Sequence, residues 1–305
     1  MALHFEQSNA AIAAPKHQNM LTGNALGVGS MILWAAAFPA VEYLLDTWST
    51  LALISVRMVL AVGFLLVLWA IVEGPHALLR ARWGKGMVIG GIGFGLSMWL
   101  LIVAQKMTDP VTVAIFASVT PISATVMEIA LDGRRLRPGF VLGLGATVLG
   151  GLVATSSGEM GEIGLGALAM LVSSFLFCWG SRGAVKHLPD VTNLGRTTIA
   201  LAGGVPVLGG TFCILWALGF DGPPTTPIDA FQVLMMAFFA FAGLAVSHVL
   251  WMHSVSRLGV ALASFHINAA PFYVMLIMMF VGAGWDWMQA LGAAIVAMGV
   301  ILAQR

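Results

Sequence analysis

The chain has 305 residues, a net charge of +1 and a mean hydropathy of +0.96. Only 9% of its residues are charged, against about a quarter in a soluble domain, so it cannot build a water-facing surface on all sides. The near-neutral balance also excludes the basic surface that a nucleic-acid partner requires.

Residues 1–20 are mixed and polar, with His4, Glu6, Lys16 and His17, and read as a flexible cytoplasmic tail. They lack the basic start, short apolar run and cleavage site of a signal peptide. Ten apolar runs follow. The first five are Leu21–Leu44, Leu51–Val72, Gly86–Ala104, Val111–Leu131 and Phe140–Ala154. The second five are Ile163–Val185, Thr197–Leu218, Phe231–Val255, Val260–Val281 and Met288–Ala303. Most are about 20 residues long, the length that carries an α-helix across a hydrocarbon layer of about 30 Å. Lipid offers no hydrogen bonds to the backbone, so spans of this length are helices. The expected class is an all-α polytopic protein with ten transmembrane helices. The fifth and tenth runs are short for the task. Cys178 and Cys213 sit inside apolar runs and read as small packing residues rather than a disulfide framework.

Positive residues mark the cytoplasmic side of a membrane. With the N-terminus inside, the inner segments hold Lys16, Arg80, Arg82, Lys85, Arg134, Arg135 and Arg137 in the first half. In the second half they hold Arg182, Lys186, Arg196, Arg257 and Arg305. Only Arg57 and Lys106 fall elsewhere, while Asp46, Asp109, Glu159, Glu162, Asp221, Asp229 and Asp286 gather on the outer side. Both termini are therefore expected in the cytoplasm, and the location in a bacterial inner membrane.

The halves repeat each other. The fourth run reads Ala114-Ile-Phe-Ala-Ser-Val-Thr-Pro121 and the ninth Ser264-Phe-His-Ile-Asn-Ala-Ala-Pro271. The fifth carries Gly143 and Gly150, the tenth Gly292 and Gly299, and the first and sixth share Leu26-Gly27 and Leu165-Gly166. Two repeats follow, residues 21–157 and 158–305. Five spans is an odd number, so the second repeat is inverted, as in many secondary transporters. Pro121 and Pro271 are expected to break their helices and free the carbonyls of Ala117 and Ile267.

This layout, with Trp34 in the first span, Arg57 in the second, the two mid-span prolines and the glycine-rich fifth and tenth spans, resembles the EamA type of the drug/metabolite transporter superfamily. The resemblance covers residues 21–303. It implies an exporter of amino acids or other small metabolites, with a cavity lined by spans one, three, four, six, eight and nine. The family usually has a Gly-Glu pair after the fourth span, where this chain has Asp132-Gly133-Arg134.

Candidate substrate contacts are Trp34, Trp99, Ser118, Trp179, Trp251, His266, Asn268 and Tyr273. Indole rings can stack on an aromatic ligand or hold a cationic head, but they also pack between helices or anchor at the lipid interface. Polar groups at mid-membrane, such as His266 and Asn268, face a cavity or a neighbouring helix. Gln105, Ser173 and Ser174 are lesser candidates. Arg57 reads either as a structural charge paired with Glu42 or Asp46 or as a receptor for a substrate carboxylate. Gly91 and Gly95 read as a smooth face for close helix approach. His248 and His253 are five apart and do not share a face, so they form no metal site. Proton coupling through His248 or His266 is one option. Glu128 lies toward the inner end of its span, which leaves a carboxylate mechanism without a clear carrier.

The chain has no nucleotide-binding motif. No cofactor and no metal are expected. The partners are a small-molecule substrate and the lipid bilayer. The leading reading is a secondary transporter that exports an aromatic or amphipathic amino acid by alternating access to a central cavity. A carrier of cationic methylated amines or drugs is the alternative. An intramembrane enzyme built on His266 and Asn268 is the third reading, and it lacks a nucleophile or metal constellation.

Overall fold

A computed structural model describes residues 20–132, 138–154 and 160–304, and all regular structure among them is helical. Eight helices are long and apolar enough to cross a membrane. In chain order the first four are α1 (Met20–Leu45), α2 (Thr50–Glu73), α3 (Trp83–Met107) and α4 (Pro110–Leu131). After α5 (Pro138–Ala154) come α6 (Met160–His187), α7 (Asn193–Ala217), α8 (Ala230–Leu258) and α9 (Val260–Phe280), and α10 (Trp287–Gln304) ends the chain. The apolar parts of α5 and α10 fall below the length of the other eight. The side chains of Glu128 and Glu162, together with Lys16, Gly133, Arg134, Arg135, Arg137, Glu159 and Arg305, lie outside the described residues.

Side chains start the helices where the sequence supplies an oxygen. Ser49 caps α2, Asp109 caps α4 ahead of Pro110, Thr192 caps α7 and Asp229 caps α8, each accepting from backbone N–H groups of the first turn. Asp286 does the same for Met288 and Gln289 at α10. Three of the aspartates expected in outer loops thus have a local reason for their position. The basic residues carry the argument for orientation. Gly259 joins α8 to α9 in a single residue at φ 79°, a conformation a side chain would strain.

Glycine sets the closest helix contacts. A Cβ on Gly90 would strike the Ala200 carbonyl, and one on Gly203 would strike that of Met87, so α3 and α7 meet backbone to backbone. Gly91 and Gly95 extend that contact to Gly203 and Gly204. The glycines matched between the two halves meet each other. A Cβ on Gly150 would lie 2.8 Å from the Gly292 carbonyl, and one on Gly299 2.8 Å from that of Gly143. α5 and α10 are therefore zipped together along their small residues.

Besides α1, which is interrupted at Ala37, four helices depart from α-geometry in two matched pairs. α3 has a π-helical segment at Gly91–Leu96 and α8 has one at Phe241–Val246, starting 150 residues later. α4 breaks at Ser118 and Val119, and α9 runs as a 3₁₀-helix through Ser264–Ala269. The two prolines account for the second pair, since each lacks an N–H and its ring crowds the preceding turn. The carbonyls they release are not left bare. Thr120 Oγ1 donates to the Ala117 carbonyl. The Ile267 carbonyl accepts the Ala270 N–H, and the Ser118 hydroxyl, which lies 3.1 Å from the Ala114 carbonyl of its own helix, stands 3.4 Å from it. Ser118 thus sets the break in α4 against the break in α9.

Candidate substrate cavity

Close to these irregular segments lies a cavity with a water-accessible volume of about 70 Å³. Its wall takes side chains from α1, α3, α4, α6, α8 and α9, the helices the resemblance implies, and adds Arg57 from α2. Trp34, Phe177 and Trp251 supply aromatic surface, and Met31, Met98 and Met170 adaptable apolar surface. Ser30, Ser97, Thr120, Ser173, Ser174 and Ser247 line it with hydroxyls. Such a wall suits a molecule with an apolar body and a few polar atoms.

Two reciprocal serine pairs hold this wall together. Ser30 Oγ donates to the Ser247 carbonyl at 2.8 Å, and Ser247 Oγ donates back to the Ser30 carbonyl at 3.1 Å. Ser97 Oγ and the Ser173 carbonyl are 3.0 Å apart, and Ser173 Oγ returns to the Ser97 carbonyl at 2.8 Å. The first pair clasps α1 to α8 and the second α3 to α6. Ser97 and Ser247 each directly follow a π-segment.

The ring of Trp34 stands edge-on to Phe38 at 4.9 Å. Trp251 is buried, donates its indole N–H to Ser181 Oγ at 3.1 Å and lies 5.2 Å from Phe177. His248 is buried against Phe94 and Phe177, and its Nε2 has no hydrogen-bond partner. Arg57, 3% exposed, departs from the expected pairing with Glu42 or Asp46. Its Nε donates to the Phe239 carbonyl at 3.1 Å and its Nη2 to the Gly243 carbonyl at 3.0 Å. The guanidinium carbon stands 3.7 Å from the centre of the Phe239 ring. The physical reason lies in α8, whose π-segment interrupts the regular ladder of backbone bonds and leaves carbonyls open to a side-chain donor. Glu42 instead accepts from Gln105 Nε2 at 3.3 Å.

Of the residues singled out in the sequence, Trp34, Arg57, His248 and Trp251 are in the cavity wall, with Ser173 and Ser174 beside them. Trp99, Ser118, Trp179, His266, Asn268 and Tyr273 are not among the lining residues. Ser118 turns its hydroxyl to the Ala114 carbonyl of its own helix and faces Ile267 of α9. His266 packs its ring on Gly27 of α1 and points Nδ1 at the Ala263 carbonyl, 2.9 Å away. Asn268 is buried, with Oδ1 unpartnered. Gln105 lies in a smaller adjoining space shared with Trp34 and Arg57. Pro121 and Pro271 stand just beyond the breaks they cause. His253 contacts Asn193 and Arg257 rather than His248. Cys178 and Cys213 form no disulfide.

Sequence reasoning passed over Ser30, Ser97, Ser247, Thr120 and Phe177. A signal was present for two of them, because Ser97 and Ser247 are separated by the same 150 residues as the two prolines.

Comparison with known proteins agrees with this architecture. Residues 21–156 match the EamA-like transporter family. The chain is 25% identical over 287 residues to a Bacillus subtilis (strain 168) protein named "Uncharacterized transporter YyaM", covering 90% of this chain and 91% of that one. A solved crystal structure of another protein superposes with a TM-score of 0.67 at 19% identity, covering 92% of this chain and 96% of the other, and shares the fold.

Proposed function

We propose that the chain is an integral membrane transporter of the EamA-like kind it resembles, and that it moves an aromatic or amphipathic amino acid across a bacterial inner membrane by alternating access. The cavity carries this reading. It combines the rings of Trp34, Phe177 and Trp251 with six hydroxyls, which suits an apolar side group beside a polar head. The transport direction is outward, by resemblance to exporters.

In this proposal α5 and α10 also span, which gives ten spans with both termini in the cytoplasm. The two halves are inverted repeats. Support comes from the paired π-segments, the paired breaks and the paired serine clasps. The Ser30–Ser247 clasp lies nearer the Met20 end of α1 and the Leu258 end of α8, toward the inside. The Ser97–Ser173 clasp lies nearer the opposite face. Opening one while the other stays shut exposes the cavity to one side at a time. Among the described residues no carboxylate lines the cavity, which favours exchange or downhill flux over a carboxylate-borne proton cycle. The enzyme reading loses its support, since neither His266 nor Asn268 lines the cavity.

The test is flux in proteoliposomes with labelled amino acids and methylated amines, with and without a pH gradient. Saturable amino-acid exchange is expected. Flux of amines alone would replace the substrate class, and no flux from folded, inserted protein would remove the carrier reading. A second expectation concerns Trp34, which borders both the main and the adjoining space. Trp34→Ala should lower flux about tenfold or more with expression and folding unchanged, since a buried aromatic contact is worth about 1.5–3 kcal/mol. Wild-type flux from the folded variant would remove Trp34 from the site.

A further inference from the structure

We propose that Arg57 is the receptor for a substrate carboxylate, so that the cavity selects organic acids and zwitterions over amines and amides. This rests on the transporter reading above and names the group by which the ligand is recognised.

Arg57 is a buried charge inside the apolar region of α2, 3% exposed. Burying a charge is costly unless it is paired, and a guanidinium stays ionised. The Phe239 and Gly243 carbonyls accept two of its N–H groups but bring no opposite charge. No aspartate or glutamate is among the cavity-lining residues. The nearest acid suggested by sequence, Glu42, is engaged by Gln105. The protein therefore supplies an arginine at the cavity wall and leaves its counter-charge to come from elsewhere.

The geometry also says how the anion is met. A guanidinium has five N–H donors in a planar fork. Nε and Nη2 are held by α8, while Nη1 makes no hydrogen bond to any described residue. The two carbonyl bonds and the Phe239 ring fix the plane of the group, so the fork does not have to be ordered when ligand arrives. A carboxylate approaching from the cavity meets Nη1 and the second N–H of Nη2, the bidentate arrangement arginine favours. The body of the ligand then lies against Trp34 and Trp251. A bare cation would add a second positive charge beside Arg57 with no acid to offset it, which disfavours the methylated amines despite the tryptophans.

The experiment is a binding series on full-length protein in lipid nanodiscs, read by calorimetry. The probes are L-phenylalanine, L-leucine, 3-phenylpropanoate, L-phenylalaninamide and phenethylamine. At least one acid is expected to bind about tenfold or more tightly than the amide and the amine. Arg57→Gln should weaken that acid about tenfold and not weaken the amide, with Arg57→Lys intermediate because a point charge lacks the fork. The proposal is overturned if no acid binds the wild type, or if amide or amine binds as tightly as the acids. It is also overturned if Arg57→Gln weakens acid and amide alike, the mark of an arginine that only braces α8. Should Arg57→Gln fail to fold, the acid-to-amide ratio on wild-type protein decides alone. Acid binding without flux would sink the transporter reading and leave the receptor standing, whereas amine flux without acid binding would do the reverse.

Discussion

Gly90→Ala is expected to abolish the folded protein. The added methyl group would occupy the position of the Ala200 carbonyl, and the neighbour that must yield is backbone, not the end of a flexible side chain. To make room, α7 must withdraw from α3 along the whole Gly90–Gly91–Gly95 face, opening the contacts of Gly203 and Gly204 as well. Overpacking typically costs about 1–3 kcal/mol, and a clash with backbone across two helices belongs at or above the top of that range. The measurement is the fraction of protein that runs as a monodisperse peak in mild detergent, with its unfolding temperature. Gly63→Ala is the control, since a methyl group there would meet nothing within 4 Å and the residue sits in the middle of α2. That variant should be indistinguishable from wild type. A stable Gly90→Ala protein would mean that α3 and α7 do not meet as described.

Breaking the serine clasps should push the transporter in opposite directions. Ser30→Ala with Ser247→Ala removes both reciprocal hydrogen bonds between α1 and α8, and Ser97→Ala with Ser173→Ala removes both between α3 and α6. Hydrogen bonds between helices in lipid are worth about 0.6 kcal/mol on average and up to about 1.7, so each double substitution is worth about 1–2 kcal/mol. That shifts a two-state equilibrium about five- to thirtyfold. A single reporter cysteine at Met31, in a background lacking Cys178 and Cys213, would be labelled with a membrane-impermeant thiol reagent. The first pair of substitutions should raise labelling from the cytoplasmic side and the second from the outer side. Increased labelling from the same side in both cases would mean that the clasps do not gate opposite faces.

The broad architecture was legible in the sequence because its physics is one-dimensional. A bilayer demands long apolar runs with internally paired backbone, and these were visible without knowing which helix touches which. The prolines and glycines were legible for a related reason. Pro121 and Pro271 act on their own turns, and the matched glycines of α5 and α10 announce close packing even before the partner is known. The resemblance carried by Trp34, Arg57 and the two prolines led to the family later found on residues 21–156.

The cavity was harder to read. Trp34 and Trp251 belong to its wall, while Trp99 and Trp179, of the same residue type and on helices that also line it, do not. Which side of a membrane helix faces the centre is decided by packing, because hydrophobicity on both sides removes the amphipathic signal that marks a soluble helix. The Arg57 partnership was out of reach for a different reason. Sequence reasoning looked for a carboxylate, but the acceptors are backbone carbonyls made available by a π-segment, 182 and 186 residues along the chain. Length, hydropathy and proline placement thus determined by themselves that this chain is a helical membrane protein with broken helices near mid-depth. Only the tertiary structure decided which hydroxyls, rings and charge share one cavity, because that depends on helix rotation and on contacts between residues far apart in the chain.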